Sequence, residues 1–126
     1  MAEDTKNFKV KEFACKHCGE NKIDQRVLTM CQTIREALGV PVHVNSGYRC
    51  PTHNANVGGV KGSQHTLGKA ADLSCSLGAQ KMFETVKKLK AEGKLEELEY
   101  CILYKKKNFI HVDCGKVRSK YFEVRA

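Results

Sequence analysis

The run Ser63-Gln64-His65-Thr66-Leu67-Gly68-Lys69-Ala70-Ala71-Asp72 sets an imidazole and a carboxylate seven residues apart. Further along, Phe109-Ile110-His111-Val112-Asp113 adds a second imidazole in an apolar setting. Two histidines and an aspartate are ligands that Zn²⁺ accepts. Three protein ligands leave the fourth tetrahedral position to water, which is the arrangement of a catalytic zinc. Such an ion lowers the pKa of its water to about 7 and polarises a bound carbonyl. The chemistry indicated is zinc-dependent hydrolysis. The plainer alternative is a loop histidine, a turn carboxylate and a hydrogen-bonded core histidine, since short motifs of this kind often match by chance.

The elements that must position these groups can be read locally. Gly68 and the following Ala-Ala-Asp-Leu stretch favour a loop running into a strand over two turns of helix, so Ala70–Ser74 is expected to carry Asp72 as a short strand. Alternation along a second strand, Asn108–Asp113, turns His111 away from Ile110 and Val112 and puts Asp113 on its own side. One strand would then present an imidazole beside a carboxylate, a pairing suited to a metal ligand and a general base.

Around these strands, a first helix is expected from Asp24 as N-cap to Leu38, stopped by Gly39, with Leu28, Cys31, Ile34 and Leu38 on one face. Pro41–Asn45 alternates like a strand. Gly47, Asn54, Asn56, Gly58, Gly59, Gly62 and Gly68 crowd a region that reads as ordered loop. A second helix from Ala79 to Glu92 turns Met82, Phe83, Val86 and Leu89 inward and ends at Gly93. Tyr100–Tyr104 pairs with the His111 strand through a lysine-rich turn, and Lys120–Val124 adds an edge strand. The fold class is α+β, with a small, mainly antiparallel sheet, two main helices and the zinc site on the sheet.

A chain of 126 residues fits one domain spanning 1–126. No apolar run approaches the roughly 20 residues of a membrane span. The first residues lack the basic-then-apolar profile of a signal peptide, so synthesis in the cytoplasm is expected. A net charge of +8 favours a polyanionic partner, with nucleic acid and an anionic cell wall as the two classes. No spaced aromatic platform or paired Cys/His finger accompanies the lysines, so nucleic acid is not expected to be the partner.

Four ordered segments together resemble the zinc D-Ala-D-Ala carboxypeptidase family: Ser46-Gly47-Tyr48-Arg49, Asn54 with Val57-Gly58-Gly59, Ser63-Gln64-His65 to Asp72, and Phe109 to Asp113. With Phe8-Lys9-Val10-Lys11-Glu12-Phe13, the likeness runs from Phe8 to Tyr121 and is nearest to a small branch, often encoded by phages or prophages. It implies a compact α+β fold shared with vancomycin-resistance dipeptidases and, more distantly, Hedgehog signalling domains. It implies His65, Asp72 and His111 as zinc ligands and Arg49 as a residue reaching into the site. Arg49 would clamp a substrate carboxylate or steady an oxyanion, helped by Ser63 and Tyr48, or else form a structural ion pair. The implied substrate is the peptidoglycan stem peptide. A monomer is expected, and the missing signal peptide fits a lysis enzyme released by a partner pore as well as a cytoplasmic dipeptidase.

One departure stands out. Many relatives place a Glu, Asp or His two or three positions before the third ligand as general base, where this chain has Phe109 and Asn108. Asp113 is the replacement favoured by strand geometry, with Glu97 or Glu99 as others; the competing role for Asp113 is to buttress His111. Loss of the base would instead leave a non-catalytic, zinc-containing wall-binding module.

Seven cysteines without a secretory context point to reduced thiols. Cys75, Cys101 and Cys114 fall in apolar stretches, where cysteine packs as a small hydrophobe. Cys15-Lys16-His17-Cys18 is half of a zinc knuckle. A structural metal completed by Cys31, Cys50 or His53 stays open, as does a basic zinc-knuckle protein for nucleic acid. His17, His43 and His53 receive no catalytic role, and His43 is expected to face solvent from its strand.

Overall fold

The computed structural model describes residues 2–58, 63–115 and 121–126. Gly59, Gly62 and Lys120, which enter the expectations above, lie outside that range. The described elements are α1 (Gln25–Leu38), β1 (Val42–Ser46), α2 (Pro51–Asn56), β2 (Ala70–Cys75), α3 (Ala79–Ala91), β3 (Tyr100–Tyr104), β4 (Phe109–Asp113) and β5 (Phe122–Arg125), with 3₁₀ turns at Val10–Phe13 and Gln64–Leu67. The fold is α+β, as expected.

The strands form one sheet in the order β1-β2-β4-β3-β5. All pairs are antiparallel except β3 with β5, which run parallel at the edge. Alternation divides the sheet into two chemically different faces. Val44, Ala71, Leu73, Cys101, Leu103, Ile110 and Val112 belong to one core with Val27, Leu28, Cys31 and Ile34 of α1 and Met82, Phe83, Val86 and Leu89 of α3. Asp72, His111 and Asp113 take the intervening positions and the other face. Register then sets the site: Asp72 is paired directly with His111, and Ala70 with Asp113. A slip of one residue would drive both charged side chains into the apolar core, so burial of that core holds the register.

Helix α1 begins and ends on local chemistry. The Asp24 carboxylate accepts the Arg26 N–H at the N-terminus, and Gly39 closes the helix at φ 71°. Two expectations shift. The glycine- and asparagine-rich segment is not all loop: Pro51 occupies the first turn of α2, with Cys50 as its N-cap. Strand β4 starts at Phe109, because Asn108 adopts φ 57° and its Oδ1 accepts the Ala79 N–H at the start of α3. His43 is exposed on β1, as expected.

Candidate metal centre and cleft

Three elements deliver three ligand atoms to one point. His65 sits in the 3₁₀ turn after Ser63, whose hydroxyl oxygen accepts the His65 N–H at 3.2 Å and fixes where the turn begins. Gly68 closes that turn at φ 73° and leads into β2, where Asp72 follows. His111 comes from β4. One atom from each of His65, Asp72 and His111 lies within 4.8 Å of the others. All three are largely withdrawn from solvent.

Hydrogen bonding decides which atoms face inward. His65 Nδ1 lies 2.8 Å from the Gly47 carbonyl, which can only accept, so Nδ1 carries the proton and Nε2 presents a lone pair. That lone pair faces Asp72 Oδ1 at 3.2 Å. His111 Nε2 lies 2.8 Å from Asp113 Oδ2, while its Nδ1 faces the same Asp72 oxygen at 3.1 Å. A neutral His111 donating to Asp113 likewise presents a lone pair to Asp72. Three acceptors then converge, and something positive must lie among them.

In the metal-free protein, protons supply that charge. Burial lowers the His111 imidazole, but hydrogen bonds with Asp113 and Asp72 outweigh it and push it up to about 9. Burial also raises the Asp72 carboxyl, yet His111 and His65 hold it well below the usual carboxylate range. A zinc ion fits the same donor set: two imidazole nitrogens and one carboxylate oxygen, each with its other polar atom already held by the protein.

The second Asp72 oxygen is also held. Arg49 Nη2 donates to Asp72 Oδ2 at 3.1 Å, Nε donates to Ser46 Oγ at 3.0 Å, and Nη1 donates to Asn54 Oδ1 at 3.3 Å. A bulge between Val44 and Ser46 puts Ser46 opposite Asp72 and within reach of Arg49. The ion pair is therefore real. A guanidinium has five N–H donors, so three such bonds do not exhaust it.

These groups lie in a cleft of about 500 Å³ whose walls include Arg49, Ser63, His65, Tyr104, Lys107, Phe109 and Arg125. Tyr104 and Phe109 stack at 4.6 Å between ring centres, forming an apolar flank. Arg125 donates to the Tyr104 hydroxyl at 3.2 Å. Arg49, Lys107 and Arg125 give the cleft a cationic rim.

Tyr48 departs from its expected place. It is 2% exposed and absent from the cleft wall, and its N–H donates to the Phe13 carbonyl at 2.8 Å. That bond reaches a residue more than thirty positions away in the chain, which no local pattern announces. Asp113 joins the constellation, but on the His111 nitrogen that does not face Asp72, with 0% exposure. Neither Glu97 nor Glu99 lines the cleft. Gly47 is the contributor sequence reasoning missed: it supplies the carbonyl that orients His65, and a Cβ there would lie 2.6 Å from the Phe13 carbonyl oxygen.

Comparison with known proteins bears on this centre. The model of a family described as Peptidase M15 matches residues 6–113. A zinc D-Ala-D-Ala carboxypeptidase from Streptomyces albus G is 51% identical over 43 residues, which are 33% of this chain and 17% of that protein. The match thus spans about a sixth of the curated relative's length.

Proposed function

Because the chain belongs to the peptidase M15 family, we propose that it is a zinc metallopeptidase hydrolysing peptide bonds in peptidoglycan stem peptides. The narrower reading is a D-Ala-D-Ala carboxypeptidase, or a related endopeptidase of the phage-lysis kind. One observation carries the proposal: three inward-facing ligand atoms, each braced from behind, sit together in a cationic cleft.

In this reading His65, Asp72 and His111 hold the metal, which supplies an activated water and polarises the scissile carbonyl. The rest falls to the chain's own residues. Gly47 and Asp113 keep both imidazoles turned so that a lone pair points inward. Arg49 fixes Asp72 and offers its remaining N–H groups to a substrate carboxylate or to the oxyanion that develops on the carbonyl. Ser63 caps the His65 turn and lines the cleft, where its O–H can donate to substrate. Lys107 and Arg125 suit a second anionic group further along a stem peptide. The excess of cationic side chains over the whole chain suits an anionic wall.

Asp113 is assigned here to positioning, not to proton abstraction. Its partner is the His111 nitrogen facing away from the metal position. Asn108 and Phe109, where relatives carry a base, are occupied by a turn residue and by the stack on Tyr104.

The test is digestion of purified peptidoglycan, followed by mass spectrometry of the released products, with and without a chelator. Chelator-sensitive release of D-alanine or of cleaved stem peptides is expected, with loss in His65→Ala. The described cleft contains no carboxylate besides Asp72 and Asp113, which favours a second reading as a wall-binding module. Stoichiometric zinc and wall binding with no released product would establish that module and overturn hydrolysis.

A further inference from the structure

Cys15, Cys18 and Cys50 present three thiols within 4.8 Å of one another, and no disulfide joins them. They come from two segments far apart in sequence, and none lines the cleft. We infer that these three cysteines, with His53 as fourth ligand, hold a structural zinc ion separate from the hydrolytic centre.

The spacing supports this once His53 is counted. Cys15-x₂-Cys18 is one close pair, and Cys50-Pro51-Thr52-His53 is a second at the same separation. Two such pairs make a Cys₃His set, which zinc takes in closed, four-coordinate structural sites. Counting cysteines alone hides the second pair. Three thiolates select a soft or borderline ion and disfavour Mg²⁺ and Ca²⁺.

The backbone is already arranged for charged sulfurs. The first pair sits in a tight turn in which the Gly19 N–H donates to the Cys15 carbonyl at 2.9 Å, with Gly19 at φ 78°. The Cys50 N–H points at Cys15 Sγ, and the His53 N–H points at Cys50 Sγ, each at 3.4 Å. Amide donors aimed at sulfur favour thiolate, the form that binds metal. Zinc–sulfur and zinc–nitrogen bonds of about 2.3 and 2.0–2.1 Å imply tetrahedral edges of roughly 3.5–3.8 Å. The thiols lie within 4.8 Å of one another, so bringing them to that spacing takes at most about 1 Å.

Two imidazoles border the cluster, stacked with ring centres 5.9 Å apart. His17 Nδ1 is 3.5 Å from Cys50 Sγ. His17, however, is exposed and lies inside the first knuckle, next to Cys18, where one turn would have to aim adjacent residues at the same ion. His53 occupies the equivalent of a second knuckle position, on the first turn of α2, and is half-buried. It is the better fourth ligand.

The site would do structural work for the cleft. Arg49 lies between Tyr48, whose N–H is bonded to Phe13, and Cys50, whose N–H is bonded to Cys15. A metal bridging Cys15, Cys18 and Cys50 therefore clamps the N-terminal segment onto the loop that carries Arg49.

The experiment is zinc content per chain in protein lacking the hydrolytic ligands, so it does not depend on the peptidase reading. His65→Ala/His111→Ala protein is expected to retain one zinc, and the further change Cys18→Ser, at an exposed thiol, to lose it. Cobalt substitution of the double variant should produce thiolate-to-cobalt charge-transfer absorption in the near ultraviolet. If the cysteine variant does not fold, titrating the double variant with a mercurial should release its zinc as three thiols react. His53→Ala should weaken zinc retention against a chelator, while His17→Ala leaves it unchanged; the reverse overturns the assignment of His53. No zinc in the double variant, or a disulfide among these cysteines in the protein as purified without added oxidant, overturns the site.

Discussion

Asp113 Oδ2 lies 2.8 Å from His111 Nε2, while Nδ1 of the same ring faces Asp72 Oδ1 at 3.1 Å. The two nitrogens thus have separate duties, one toward the metal position and one toward a buried carboxylate. A carboxylate behind a ligating imidazole fixes its tautomer and raises its basicity. Strand alternation placed Asp113 beside His111, but it could not say which ring nitrogen the carboxylate would meet. That choice separates a buttress from a base.

Asp113→Asn therefore should weaken the metal centre before it affects proton transfer. Asparagine keeps the volume at a fully buried position but can present its amide N–H to His111. Zinc affinity at the His65 centre, measured by competition with a chelator, is expected to fall by about 10–100-fold. Saturating zinc should restore part of the turnover. Unchanged affinity with a reduced kcat would return Asp113 to the role of general base.

Arg49→Lys tests the arginine's geometry apart from its charge. The guanidinium donates to Asp72, Ser46 and Asn54 at once, a fan that a single ammonium cannot reproduce. Losing one charge-assisted hydrogen bond costs about 1.5–3 kcal/mol. The expected result is at least about a tenfold fall in kcat/KM with zinc content unchanged. Wild-type kinetics in the lysine variant would show that only positive charge matters at this position.

Much of the scaffold was legible because its signals are local. Asp24 and Gly39 mark the ends of α1 by cap chemistry confined to a few residues, and the period of two in β2 and β4 puts Asp72 and His111 on one face whatever surrounds them. What stayed hidden depends on contacts between distant segments. Tyr48 is tied to Phe13 by a backbone hydrogen bond between distant segments, and Gly47 turns its carbonyl toward His65 only after the chain has folded back. Helix α2 was missed for another reason: Cys50 supplies a cap from a residue type not normally counted as one.

Gly68→Ala should be among the more damaging substitutions in the chain. Its φ of 73° already disfavours a side chain by about 1–2 kcal/mol. An added Cβ would also lie 1.9 Å from the Lys22 carbonyl oxygen, backbone that cannot swing aside. Gly39→Ala is the control, with a similar φ of 71° and nothing within 4 Å. Denaturant melts should give about 1 kcal/mol for Gly39→Ala and clearly more for Gly68→Ala. Zinc affinity should also fall in the latter, because Gly68 closes the turn that carries His65. Equal losses in the two variants would remove the close approach to Lys22 as a constraint.

Asp24 links the start of α1 to that turn through its backbone, and the charge on its side chain makes the helix cap dependent on pH. Its carboxylate accepts the Arg26 N–H at 2.9 Å, and its own N–H donates to the Gly68 carbonyl at 2.7 Å. The Arg26 side chain is the main reason the Asp24 carboxyl is held below its ordinary 3.8. A depressed folded pKa means that the stabilisation is present above the unfolded value and is lost as pH falls through the folded one. Asp24→Ala should cost about 1 kcal/mol near neutral pH through loss of the cap. Asp24→Asn keeps a capping oxygen and loses only the charge, so its deficit against wild type should shrink between about pH 6 and about pH 2. Urea melts across that range decide the matter: a deficit that stays constant means the charge on Asp24 adds nothing to the cap.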